Sequence, residues 1–154
     1  LDACEFVAHV TKTLRTYELY TSSFEMPADL TKSYALVIDE PISLGDFKAA
    51  ANVELKVFAD GVEIADDALL VTGQTAVFYV DGAEVLSLDV IMYGDPSADG
   101  VVNSADLFTV RKHLLGSNLT GSQFKAADVN RDKTVNSADL LKMRRYLLGL
   151  DKGL

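Results

Sequence analysis

The sequence predicts an α+β chain of two modules, a small β-sandwich-like module at residues 1–92 and an all-α module at residues 93–154. Three observations lead to this prediction. The first half alternates apolar and polar residues on either side of Asp-Gly pairs, which is typical of β-hairpins. The second half has apolar residues at helical spacing. Two of its helical stretches also follow acidic loops that closely resemble each other.

Two hairpins are predicted in the first half. Residues 53–64 alternate around the Asp-Gly pair at 60–61, and residues 75–93 do the same around the pair at 81–82. Both residues of such a pair tolerate the positive φ angles that a two-residue hairpin turn requires. Further elements are predicted as strands at residues 9–21 and 33–40 and one short helix at residues 43–52.

Two similar helices are predicted in the second half, at residues 104–116 and 137–149. Ser or Asn precedes each helix and Gly ends it, as helix termini prefer. Residues 121–128 are expected to form a short helix between them. The apolar stripes assigned to the core are Leu107, Val110 and Leu114 in the first helix and Leu140, Met143 and Leu147 in the second.

Composition excludes several classes of function. The formal net charge of −9 argues against a nucleic-acid partner, because phosphate binding requires a basic surface. No apolar stretch is long enough to insert in a membrane. Cys4 is the single cysteine, so the chain cannot form an internal disulfide. Because the chain begins at Leu1 without a signal peptide, we interpret it as a fragment of a longer protein.

An acidic loop and its following helix occur twice. Aligned at an offset of 33 residues, residues 94–117 and 127–150 are identical at 12 of 24 positions. Each loop places oxygen-bearing residues at the first, third, fifth, ninth and twelfth positions, with a backbone carbonyl at the seventh, as in the calcium loop of EF-hands. The predicted ligands are Asp95, Ser97, Asp99, Val101, Asn103 and Asp106 in loop one and Asp128, Asn130, Asp132, Thr134, Asn136 and Asp139 in loop two.

Two calcium ions are therefore the predicted cofactors, since many hard oxygen ligands suit Ca²⁺ better than Zn²⁺ or Mg²⁺. Loop two departs from the motif at Lys133, where the sixth position requires a left-handed backbone and normally has glycine. In loop one, Ser97 is an uncharged ligand. The alternative is a pair of Asx-rich turns that only cap the helices.

The repeated loop followed by a helix resembles the dockerin module of cellulosomes and related bacterial surface assemblies. The resemblance covers residues 94–150 and rests on the pattern "D-G-x-V-N-S-A-D-L" with a closing "LLG". Unlike an EF-hand pair, the first loop directly follows a predicted strand, "DVIMY". By its position and its hairpins, the first half is similar to the X-module that often precedes a dockerin.

The resemblance implies a non-catalytic docking module that binds a cohesin domain of a scaffoldin or surface protein. It also implies a secreted bacterial parent protein involved in polysaccharide degradation, and two opposite binding orientations related by the repeat. Carried over from the family, the partner-binding residues of copy one are Ser104, Ala105, Phe108, Arg111, Lys112 and Leu115. Those of copy two are Ser137, Ala138, Leu141, Arg144, Arg145 and Leu148.

No catalytic residues are predicted. His9 and His113 lack a nucleophile or metal-ligand pattern around them, and neither a phosphate loop nor zinc spacing occurs. Two alternatives remain open. The first half could bind carbohydrate through Tyr17, Tyr20, Tyr34 and Tyr79 and carry a dockerin tail, or the chain could be a calcium-stabilised surface domain without a cohesin partner.

Overall fold

A computed structural model describes residues 7–10, 35–50 and 54–154 of the chain. The chain divides into two compact units, of which the second consists of Ile91–Leu154 together with Val71–Gly73. The α+β class is confirmed, with a mixed β-sheet region followed by a helical region. The module boundary predicted after residue 92 stays a prediction, although the compact units divide two residues earlier.

The first unit contains one six-stranded sheet with the order β1-β2-β6-β5-β3-β4. β1 pairs parallel to β2, whereas β5 pairs antiparallel with both β3 and β6. All strands of the described residues belong to this sheet, so the second sheet of a sandwich is not among them. The strands are β1 (Val7–Val10), β2 (Ala35–Ile38), β3 (Glu54–Ala59), β4 (Val62–Glu63), β5 (Thr75–Val80) and β6 (Ala83–Ile91).

Both predicted hairpins are confirmed. Asp60 and Gly61 have φ angles of 49° and 80° and join β3 to β4, and Asp81 and Gly82 have 50° and 78° between β5 and β6. Positive φ at both turn residues identifies the turn that matches the right-handed twist of antiparallel strands. The predicted strand at residues 9–21 lies outside the described residues beyond its first two positions.

Alternation along the strands builds the core of the first unit. Leu55 and Val57 of β3 pair with Phe78 and Ala76 of β5, and all four are buried. Leu88 of β6 extends this apolar surface beside Ala76. The predicted short helix is confirmed as α1 (Leu44–Ala50), which buries Leu44 and Phe47.

The second unit contains three helices, which match the predicted ones. They are α2 (Ser104–Leu114), α3 (Gly121–Ala127) and α4 (Ser137–Leu147). Gly116 and Gly149 follow α2 and α4 with φ angles of 106° and 70°, as predicted for helix-stopping glycines. The buried core of this unit contains Val110, Ala127, Val129, Val135 and Met143, so one apolar centre joins all three helices and the second loop.

The apolar stripes are confirmed at four of their six residues, and Leu147 is half-buried. Val110 and Met143 are fully buried, and Leu107 and Leu140 pack against the same core. Leu114, which we assigned to the core, is 41% exposed, so that assignment is wrong. At this end of α2 the half-buried His113 contacts Phe124 instead, with ring centroids 5.8 Å apart, and takes the inward position.

Candidate functional site

Three acidic side chains of loop one meet at one point. Asp95, Asp99 and Asp106 each place a carboxylate oxygen so that the three oxygens lie within 4.8 Å of one another. Asp95 and Asp106 are fully buried, whereas Asp99 is exposed. The sequence placed these residues at the first, fifth and twelfth loop positions, and the fold brings them together.

Backbone N–H groups hold the Asp95 carboxylate in place. The N–H groups of Asp99 and Gly100 donate to its two oxygens at 3.0 and 3.2 Å, and the N–H of Thr72 donates at 3.4 Å. The Ser97 hydroxyl donates to the same carboxylate at 3.3 Å. The loop therefore wraps around its first acidic residue.

The Asp106 side chain accepts hydrogen bonds from loop one and also caps the start of α2. One of its oxygens accepts from the N–H of Ser97 at 3.1 Å and the other from the N–H of Asn103 at 2.8 Å. The Asn103 side chain accepts from the N–H of Ala105 at 2.7 Å, and its bond from the N–H of Asp106 completes a capping box at the start of α2. Any ion bound at Asp106 is thus linked directly to the start of the helix.

The remaining predicted ligands of loop one line the same turn. The exposed Asp99 carboxylate accepts from the N–H of Val101 at 2.9 Å and from the Asn103 amide at 3.2 Å. The Asn103 amide also donates to the carbonyl of Val101, the predicted seventh ligand, at 3.0 Å. The side-chain oxygen of Asn103 already caps α2, so a direct bond to an ion would compete with that cap.

Electrostatics inside loop one favour a bound cation. Burial raises the pKa of Asp95, and repulsion from the charged Asp106 raises it further. Burial also raises the pKa of Asp106. No lysine or arginine of the described residues forms an ion pair with either carboxylate. Two buried, mutually repelling carboxylates with backbone donors on one side fit a divalent cation with oxygen preference.

Loop two repeats these hydrogen bonds at matching positions. The N–H groups of Asp132 and Lys133 donate to Asp128 at 3.1 and 2.7 Å. Those of Asn130 and Asn136 donate to the buried Asp139 at 3.2 and 2.9 Å. A second capping box joins Asn136 and Asp139 at the start of α4. The carbonyl of Thr134, the predicted seventh ligand, accepts from the Asn136 amide at 3.5 Å.

The two loops differ in how closely their acids approach each other. No second cluster of three such ligand atoms occurs in the part of the chain that the structure describes. In loop two the Asn130 amide donates to Asp132 at 3.0 Å, while the corresponding Ser97 donates to Asp95. Loop one is therefore the better formed of the two candidate sites.

The left-handed backbone predicted for the sixth loop position is confirmed. Gly100 has a φ angle of 82° and Lys133 has one of 68°. Ala98 and Arg131, at the fourth position of each loop, share a φ angle of 62°. Loop two thus places two non-glycine residues in a region that costs such residues roughly 1–2 kcal/mol each.

The twelve predicted partner-binding residues are all exposed. They lie at the starts of α2 and α4 and along one face of each helix, as the residue spacing predicted. Their large apolar side chains are mostly uncovered, with Phe108 61% and Leu141 58% exposed. Leu115 and Leu148, near the ends of the helices, are 88% and 64% exposed. The face of α2 also places the Lys112 ammonium 5.1 Å from the Phe108 ring centre.

Sequence reasoning missed three contacts in this unit. Thr72 approaches Asp95 although 23 residues separate them, and its hydroxyl accepts from the N–H of Met92 at 3.1 Å. The Arg131 guanidinium lies 4.4 Å from the Tyr93 ring centre. Arg145 forms two hydrogen bonds with Asp151. The first two contacts join distant positions, and Arg145 and Asp151 are six residues apart on either side of the end of α4.

Of the remaining candidates, the structure describes the side chains of His113 and Tyr79. Nδ1 of His113 lies 3.1 Å from both the carbonyl of Ser117 and the N–H of Leu119, so it holds the turn after α2. Tyr79 is half-buried in β5. The other residues of the alternative sites are not described, namely Cys4, Tyr17, Tyr20 and Tyr34, nor is the side chain of His9.

Comparison with known protein families identifies the second unit. Residues 93–148 match the model of the dockerin type I domain. The chain carries a dockerin type I domain. A β-sheet region precedes it, and the identity of that region as an X-module is not established by the match. A comparison with curated proteins gave no match.

The match defines the general role of the second unit. A dockerin domain is a non-catalytic docking module that binds cohesins, and dockerins bind calcium. Such modules occur on extracellular cellulosomal proteins. Among the described residues, no helix is both long and apolar enough to cross a bilayer.

Proposed function

We propose that this chain is the docking portion of a larger secreted bacterial protein and attaches it to a scaffoldin or cell-surface assembly. In this proposal the dockerin domain binds one calcium ion in each loop. The twelve exposed residues of α2 and α4 then form the surface that contacts a cohesin. The modules are residues 1–92 and 93–154, and the first is a non-catalytic, X-module-like domain.

The main support for this proposal is that α2 and α4 expose side chains at corresponding positions. Residues of the same kind, at the same steps of α2 and α4, remain uncovered while the opposite sides form the core. Exposed apolar side chains such as Phe108 and Leu141, with arginines beside them, are typical of interface centres. A helix face that contacted only solvent would not require exposed apolar side chains at the same positions in both copies.

Charge supports a protein partner with acidic or hydrogen-bond-accepting groups. The chain has a net charge of −9, yet each helix face has two adjacent basic residues. These are Arg111 with Lys112 and Arg144 with Arg145. Basic patches on an acidic protein direct an acidic partner towards these faces and oppose other approaches.

Calcium would organise the docking faces through residues that loop and helix share. Asp106 and Asp139 are both the last predicted ligands and the third helical residues of α2 and α4. Ser104, Ala105 and their counterparts stand directly before them. When bound, the ion supplies charge neutralisation for the buried carboxylates. The capping boxes then keep the start of each helix, and hence its face, in a fixed position.

The test is binding to a panel of purified cohesin modules by isothermal titration calorimetry, with calcium and with excess chelator. We expect at least one cohesin to bind in calcium and to lose binding in chelator. Asp106→Asn should weaken binding, whereas Asp89→Asn, at an exposed position of β6, serves as the matched control. Failure of every cohesin to bind, or equal binding in chelator, would contradict the proposal. Binding of polysaccharide by the full chain would support the carbohydrate-binding alternative for the first module.

A further inference from the structure

The two docking faces differ at one basic position. Nε and Nη2 of Arg145 donate to the two oxygens of Asp151, each at 2.9 Å. Such a paired contact uses the planar guanidinium in its preferred geometry with a carboxylate. The Asp151 side chain is 27% exposed, so the pair lies at the surface beside the α4 face.

Copy one has no acid at the equivalent position. Lys112 corresponds to Arg145, and Asn118 corresponds to Asp151. The backbone is equivalent in both copies, because the N–H of Ser117 donates to the carbonyl of Lys112 and that of Leu150 donates to the carbonyl of Arg145, each at 2.9 Å. The difference between the copies is therefore one of side chains on a common turn.

The consequences for a partner are also different. The Lys112 ammonium stands over Phe108, inside the apolar part of its own face. By contrast, two donor groups of the Arg145 guanidinium bind the Asp151 carboxylate, which also neutralises its charge. A cohesin that approaches the α4 face must compete with Asp151 for those donors, and it encounters one net positive charge less than on the α2 face.

We propose that Asp151 determines the binding orientation by holding Arg145, so that the cohesin preferentially contacts the α2 face. The inference rests on the proposed cohesin-binding function and adds a residue outside the twelve assigned to the interface. Because the ion pair is exposed, competition with it should be weak, and we expect about a fivefold preference in affinity. The preference is thus moderate, and removal of Asp151 should reverse it measurably.

The experiment measures cohesin affinity in backgrounds that leave only one face usable. Phe108→Glu/Arg111→Glu disables the α2 face and leaves the α4 face. In this background Asp151→Asn should raise the affinity about fivefold. In the Leu141→Glu/Arg144→Glu background, where only the α2 face remains, the same substitution should leave the affinity unchanged. Calorimetry with the cohesin that binds the unmodified chain gives both values.

Asn118→Asp is the matched control, because it places a carboxylate at the equivalent turn beside Lys112. With only the α2 face usable, it should lower the affinity, and with only the α4 face usable it should have no effect. An Asp151→Asn effect that is absent, or equal in both backgrounds, would overturn the orientation role. If the unmodified chain binds no cohesin, the proposed function itself fails, which this design distinguishes from failure of the Asp151 inference.

Discussion

Asp95 and Asp106 are both fully buried, and with Asp99 they place three carboxylate oxygens within 4.8 Å of one another. Backbone N–H groups on neighbouring turns hold both side chains in this arrangement. Burial of two like charges is unfavourable in the absence of a cation. A bound calcium ion is therefore expected to stabilise this arrangement in the dockerin domain.

Calcium should stabilise the dockerin domain more than the sheet. At an extracellular concentration roughly 1,000-fold above the dissociation constant, each ion would add about 4 kcal/mol to the free energy of unfolding. Hydrogen exchange with and without chelator measures this by segment. We expect chelation to accelerate exchange in α2 and α4 while β5 and β6 stay protected. Identical exchange under both conditions would contradict calcium binding.

Each loop should account for one ion. Asp106→Ala and Asp139→Ala remove the buried last ligand of loops one and two, so native mass spectrometry should show one calcium fewer in each variant. Asp89→Ala, which removes an exposed carboxylate from β6, should keep the full number. Loss of both ions from either single variant would show that the sites are not independent.

Calcium affinity should fall in acid. Burial raises the pKa of Asp95 and Asp106 above the value near 3.8 that they have in the unfolded chain. In the ion-free protein, each carboxyl therefore contributes stability in its protonated form below pH 3.8, and this stability is lost as the pH rises through the raised pKa. Calcium binds the charged form, so protons compete with it below the raised pKa of Asp95 and Asp106. Affinity should drop by up to about tenfold per pH unit for each displaced proton. A calorimetric affinity that stays constant from neutral pH to about pH 4 would contradict this competition.

Lys133→Gly should stabilise loop two. The φ angle of 68° favours glycine, and the important N–H bond to Asp128 is preserved because it belongs to the backbone. The gain should be about 1 kcal/mol at most, since glycine also makes the unfolded chain more flexible. Thermal unfolding in chelator measures it. Lys142→Gly, inside α4, is the opposite control and should destabilise by at least about 1 kcal/mol, because it weakens the helix and also removes the bond from the Lys142 ammonium to the Val129 carbonyl.

Gly94 should tolerate a side chain less well than Gly116. It has a φ angle of 91°, and an added Cβ would collide with the Leu154 side chain and lie 3.1 Å from Val102. Gly116 has a φ angle of 106° with open space around it, so Gly116→Ala introduces only backbone strain. The melting temperature of Gly94→Ala should therefore fall further than that of Gly116→Ala. Equal losses would mean that Leu154 moves away without cost.

Local patterns predicted much of the fold and of the site. The Asp-Gly turns, the capped helices and the repeated ligand spacing each depend on residues close in sequence. Leu114 was misassigned because helical periodicity continues to the last residue of a helix, where the neighbouring element, here Phe124, decides which side chain is covered. The bond from Thr72 to Asp95 depends on folding between distant segments, and periodicity holds no information about it.

In the proposed function, the exposed faces of α2 and α4 bind a cohesin in the calcium-loaded state. The most direct measurement compares Phe108→Glu/Arg111→Glu, Leu141→Glu/Arg144→Glu and the combination of all four by calorimetry against one cohesin. Each variant with one face disabled should still bind. Phe108→Glu/Arg111→Glu, which keeps only the α4 face, should bind about fivefold more weakly than the variant that keeps the α2 face. The combined variant should lose at least about a hundredfold in affinity, with its circular dichroism and calcium content unchanged. If the combined variant binds as tightly as the unmodified chain, these faces are not the docking surface.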